Sequence, residues 1–131
     1  MPTPIWIDSS FAIAWLSGSS LAKRVDLGKA EICVLPGQYA EILAYYARKG
    51  LDASAVIREL EGVELEVASR RELQDAAIQF TAARARGSKS SLADAMLAVV
   101  ARRRQQALAT LDKDFAALGF KEKNGLWWSS Q

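Results

Sequence analysis

The chain has 131 residues, half of them apolar and about a quarter charged, with 17 lysines and arginines against 15 acids, one cysteine and no histidine. That length suits one domain with a real core, and no apolar run approaches the roughly 18 residues of a membrane span. The missing histidine excludes hydrolases built on a histidine base, and with a single cysteine it also excludes the usual zinc ligand set and any intrachain disulfide.

Met1-Pro2-Thr3-Pro4 lacks the basic start and long apolar stretch of a signal peptide, so a cytoplasmic protein is expected. Ile5-Trp6-Ile7 reads as a short buried strand with Asp8 at its carboxyl end. Ser9 to Leu16 follows as a helix rich in apolar residues. Ile32 to Leu35 is a second strand, and Cys33 within it reads as a buried structural thiol. Pro36-Gly37 opens a helix that ends near Lys49-Gly50. Glu41 lies past its first turn, flanked by Ala40, Ile42 and Leu43.

Asp52 is placed to cap a helix from Ala53 to Leu60. Val63 to Val67 alternates with period two, as a strand with one wet face does. Ser69 and Glu72 have the form of a capping box for a helix that reaches Arg86 and stops at Gly87. Ser91 to Asp94 repeats the signal, opening a helix that runs to about Gln106. Leu108 to Thr110 is a fourth strand, Phe115 to Leu118 a short helix stopped by Gly119, and Leu126 to Trp128 a fifth strand near an edge. Strands alternating with helices predict an α/β fold around a mainly parallel sheet of about five strands.

In such sheets ligands bind beyond the carboxyl ends of the strands, where strand order reverses. Asp8, Asp112 and Asp114 fall at carboxyl ends, and Asp94 falls in the first turn of the helix feeding the fourth strand. Asp8 also suits the cap of the helix from Ser9, Asp112 or Asp114 that of the last short helix, and Asp94 the acidic place of a capping box; a cap is worth typically about 1 kcal/mol. Glu41 has no such role. Two carboxylates 4 Å apart repel by about 4 kcal/mol at an effective dielectric of 20. If these acids converge, a cation belongs among them, and an all-oxygen set selects Mg²⁺ or Mn²⁺. Such sites act on phosphate esters. Basic residues cluster at Arg48-Lys49, Arg70-Arg71, Arg84/Arg86/Lys89 and Arg102-Arg103-Arg104.

Four pieces, in this order, resemble the PIN-domain ribonucleases, and within them the VapC-type toxins of bacterial toxin–antitoxin pairs. They are Ile5-Trp6-Ile7-Asp8-Ser9-Ser10, Ala40-Glu41-Ile42-Leu43, Leu92-Ala93-Asp94-Ala95-Met96 and Ala109-Thr110-Leu111-Asp112-Lys113-Asp114-Phe115. The resemblance runs from Ile5 to about Leu118 and implies one PIN-like nuclease domain over residues 1–131. It implies a metal-dependent endoribonuclease with Asp8, Glu41, Asp94 and Asp112 as the acidic quartet. Asp8, Asp94 and Asp112 would hold Mg²⁺ or Mn²⁺, and Glu41 would position or deprotonate the attacking water or hold a second ion. Asp114 is an auxiliary acid or starts the last helix; Ser10 and Thr110 match hydroxyl positions. Where the family commonly has threonine after the first aspartate, this chain has Ser9.

The implied partners are a structured RNA, an antitoxin and a second copy of the chain. Arg84, Arg86, Lys89 and Lys113, near the acids in sequence, are the candidates for gripping the RNA backbone. The apolar helices Phe11 to Leu16 and Tyr39 to Tyr46 are candidates for protein contacts, with core packing expected to claim most of their side chains. A phosphatase with an aspartate nucleophile needs a second acid two residues on, and Ser10 stands there instead. A PIN-like module that binds RNA or protein without cutting is the other reading; no acid of the quartet is missing to favour it.

Overall fold

The computed structural model describes residues 3–20, 22, 27–28 and 30–129. In chain order the elements are β1 (Thr3–Ile7), α1 (Ser9–Leu16), β2 (Ala30–Val34), α2 (Pro36–Arg48), α3 (Ala53–Glu59), β3 (Glu64–Leu65), α4 (Arg70–Ala85), α5 (Leu92–Arg103), β4 (Ala107–Ala109), a 3₁₀ helix (Lys113–Leu118), β5 (Phe120–Lys123) and β6 (Leu126–Ser129). The six strands form one sheet in the order β3-β2-β1-β4-β6-β5. The first four in that order run parallel, and the β5–β6 hairpin joins antiparallel beyond β4.

β1 is the axis of the fold because it can be buried on both faces. Successive side chains point to opposite faces, so Ile5 and Ile7 enter one layer with Phe11, Val34, Ile42 and Ala109. Trp6 enters the other, with Leu97, Val100, Leu108 and Phe115. Each fully buried aliphatic or aromatic side chain of this kind contributes about 2 kcal/mol. α5 is buried from Leu97 through Ala101, which a helix clamped between the sheet and α4 requires. Cys33 is buried, and burial pushes its thiol up to about 11, leaving it unreactive.

The α/β fold and parallel core match the expectation, with six strands among the described residues where about five were expected. The additional strand is β5. Asn124 and Gly125 both take positive φ, 57° and 79°, in the two-residue loop between β5 and β6. An Asn-Gly pair is the favoured sequence for such a hairpin turn, so the signal for β5 was present in the chain. The Leu126–Trp128 strand is therefore second from the edge. The expected strand at Val63 to Val67 is reduced to Glu64–Leu65, because β3 is an edge strand whose two residues are both exposed. The Ser69–Glu72 capping box is complete. α5 ends at Arg103 rather than Gln106, since Gln105 turns to φ 54°.

Candidate active site

β2 lies on one side of β1 and β4 on the other, so strand order reverses between β1 and β4. The crevice at their carboxyl ends is the expected ligand position in an open α/β sheet. Asp8 follows β1 directly and is 2% exposed. Its Oδ1 accepts from the Phe11 backbone N–H at 2.9 Å, which makes it the N-cap of α1. Its Oδ2 accepts from Thr110 Oγ1 at 2.6 Å, and Ser10 Oγ approaches both oxygens, at 2.9 and 3.0 Å. A hydroxyl has one proton, so the exposed Ser10 satisfies one of those oxygens at a time.

Thr110 follows β4 and is also buried. Its Oγ1 donates to Asp8 and accepts from the Asp112 backbone N–H at 3.0 Å, tying the ends of the two strands together. Asp112 caps the 3₁₀ helix: its Oδ1 accepts from the Asp114 N–H at 2.9 Å. Asp114 is thus the residue being capped, and its side chain is exposed.

Asp94 enters from α5, whose start is fixed by the bond from the Asp94 N–H to Ser91 Oγ at 3.1 Å. Beside it lies Gln38, which sequence reasoning passed over. Gln38 is 1% exposed, accepts from the Ser9 N–H at 2.7 Å through Oε1, and reaches Asp94 Oδ1 with Nε2 at 3.5 Å. Gln38 and Glu41 are three apart on α2 and so share a face; an amide one turn before a candidate acid was the available signal. Glu41 is exposed and accepts from Ser9 Oγ at 2.9 Å.

The acids affect one another. Burial pushes the Asp8 carboxyl up to about 6; the bonds from Thr110, Phe11 and Ser10 pull it down, and the charge of Asp94 adds to the rise. Burial likewise raises Asp94, whose bonds to Ser91 and Gln38 oppose the rise and whose neighbour Asp112 reinforces it. No arginine or lysine compensates them: among the described residues the ion pairs are Arg103–Asp75, Arg104–Glu66 and Arg104–Glu72. Buried carboxylates without a cation, in an all-oxygen setting, fit a hard divalent ion.

The carboxylate oxygens of Asp8, Asp94 and Asp112 do not all lie within 4.8 Å of one another. Among the described residues the group that meets that spacing is Glu31, Glu64 and Glu66, on β2 and around β3. Glu66 there is 3.8 Å from Arg104 Nη1.

Of the basic candidates, Lys113 is exposed at the start of the 3₁₀ helix next to Asp112, and Lys89 is exposed in the segment leading to α5. Arg84 lies over the Phe80 ring at 5.3 Å. Arg86 lines a cavity of about 260 Å³ with Gln79, Arg102 and Leu118. Among the described residues none of the four bonds to a candidate acid.

The PIN domain family model matches residues 5–121. The chain belongs to the PIN domain family. This PIN domain is also similar to solved structures. One is a toxin–antitoxin complex from Klebsiella pneumoniae, at a TM-score of 0.64 and 22% identity, covering 86% of this chain and 90% of that one. Another is VapC20 of Mycobacterium tuberculosis, a sarcin–ricin loop cleaving toxin, at a TM-score of 0.68 and 24% identity, covering 91% of this chain and 98% of that one. At these identities the likeness concerns the fold. No curated protein matches the sequence.

Proposed function

We propose that this PIN domain is a metal-dependent endoribonuclease of the VapC type, the toxin half of a toxin–antitoxin pair. The observation that supports the reading is the placing of the acids beside the strand-order reversal: Thr110 joins Asp8 to the Asp112 backbone, Gln38 lies between Ser9 and Asp94, and among the described residues none of the three aspartates has an ion pair. Asp8, Asp94 and Asp112 would hold Mg²⁺ or Mn²⁺. The ion supplies an acidic, easily ionised water and neutralises phosphate charge. Thr110 holds Asp8 in place, and Ser10 is the hydroxyl that yields when Asp8 takes a ligand. Glu41, held by Ser9 and facing solvent, positions the attacking water or accepts its proton. Lys113 and Lys89 flank the acids and would meet RNA phosphates, with Arg84 and Arg86 further along α4.

The antitoxin or a second copy would contact the outer side of α1 and α2. Core packing claims Phe11, Ala12 and Ile42. Trp15, Leu16 and Tyr46 line a groove of about 360 Å³ with Ala55, Val56 and Glu59. A non-catalytic PIN-like module that binds RNA or protein without cutting is the second reading; the three aspartates do not form a group whose carboxylate oxygens all lie within 4.8 Å.

Cleavage of a mixed set of structured RNAs decides between them. The endonuclease reading expects cutting with Mg²⁺ or Mn²⁺, none with EDTA, a loss of at least about 100-fold in Asp94→Asn, and products ending in 5′-phosphate. Cyclic phosphate ends, or cutting that survives EDTA, would rule it out. A folded, antitoxin-free protein that binds metal and leaves every RNA intact would favour the module.

A further inference from the structure

We propose that Gln38 is a positioning residue: it sets Asp94 against the Asp8–Ser9 start of α1 and thereby sets how tightly the acids take a divalent cation. The proposal rests on the metal-site reading above. Gln38 stands in the first turn of α2 with its amide in the core, 1% exposed. A buried amide is tolerated where its polar atoms are bonded. Its orientation is settled by chemistry. The Ser9 N–H is a donor at the start of α1, so the atom 2.7 Å away must be the amide oxygen. The NH₂ end is then the one that faces Asp94 Oδ1, at 3.5 Å.

That separation is long for a hydrogen bond and too short for an intervening water. A shift of Asp94 by a few tenths of an ångström would close it. A neutral donor suits this position. A lysine or arginine would hold Asp94 equally well but would compete with the cation for the same charge. Gln38 also joins Asp94 to Glu41, because Ser9, which it fixes through the backbone, holds Glu41 with its hydroxyl. The plainer alternative is that Gln38 only fills the core and satisfies the start of α1.

Mn²⁺ binding to the metal-free full chain, measured by calorimetry, separates the two. Gln38→Met keeps the volume and loses both bonds. Ile42→Val, buried on the same helix, is the control for lost stability alone. Asp94→Asn is the reference for losing a ligand. The expected result is Mn²⁺ affinity about 10- to 100-fold weaker in Gln38→Met, with Ile42→Val within about twofold of wild type. Equal affinity in Gln38→Met and wild type, or equal weakening in Ile42→Val, overturns the proposal. Should Gln38→Met fail to fold, the wild-type Gln38 side-chain amide is followed by NMR through a Mg²⁺ titration. Movement with the same midpoint as the Asp94 amide supports the role, and a static resonance overturns it. If Asp94→Asn binds Mn²⁺ like wild type, the metal-site reading itself fails and takes the proposal with it. If Asp94→Asn loses Mn²⁺ and Gln38→Met does not, the positioning role alone fails.

Discussion

At the scale of the residue, Asp112 combines two roles that a substitution can pull apart. Its Oδ1 caps the 3₁₀ helix through the Asp114 N–H, and the proposal gives its carboxylate charge to the metal. Serine caps as well as aspartate but brings no charge. Asp112→Ser should therefore unfold within about 0.5 kcal/mol of wild type in urea, while RNA cleavage falls at least about 100-fold. Loss of stability with full cleavage would reverse the assignment. The sequence made both Asp112 and Asp114 visible but left open which one caps. The answer depends on backbone angles: Asp112 is extended, at φ −92° and ψ 110°, and Asp114 is already inside the turn. Gln38 was less legible still, since its partners Ser9 and Asp94 lie 29 and 56 residues away.

At the scale of the element, the 3₁₀ helix is held at both ends. Its start is tied to the site through Asp112. Its end is closed by Gly119 at φ 90°, where the guanidinium of Arg102 reaches the Leu118 carbonyl. Arg102 also bonds Gln79 on α4 and Ser129 on β6, so one side chain gathers three elements around that carbonyl. A Cβ on Gly119 would stand 2.6 Å from Arg102 Nη2 in a conformation that L-residues avoid. Gly119→Ala should cost about 2 kcal/mol, seen as a lower urea midpoint with an unchanged slope. The sequence showed the helix stop at Gly119 and both Ser-initiated helices, because caps are written in neighbouring residues. It overextended β3, whose period-two pattern runs from Val63 to Val67 while Glu64–Leu65 alone pairs, and it missed β5, an edge strand in which Phe120 is followed by three charged residues.

At the scale of the whole molecule, stability and the site compete through Asp8. A carboxyl that ionises less readily when folded stabilises the fold while it is protonated. That contribution is complete below the ordinary value of 3.8, fades as pH rises and is gone above about 6. The interval is worth about 3 kcal/mol. Metal-free wild type should lose that much stability between pH 3.5 and pH 7.5 relative to Asp8→Asn, measured by urea unfolding in EDTA. Mg²⁺ should restore more of it at pH 7.5 than at pH 5; equal slopes with pH in the two proteins would contradict the burial argument. The burial of Asp8 behind this cost was legible only as a rule about strand ends. Its realisation needed the order β3-β2-β1-β4, which no short stretch of sequence encodes. The borders of the sheet have a consequence of their own. On one side β3 is two residues long, and Glu31, Glu64 and Glu66 crowd within 4.8 Å. On the other, β5 presents Lys121, Glu122 and Lys123, all exposed. A copy of the chain arriving border to border would have to desolvate these charges before any new backbone bond formed. The sheet therefore ends where it does, and the folded protein is a poor seed for fibrils.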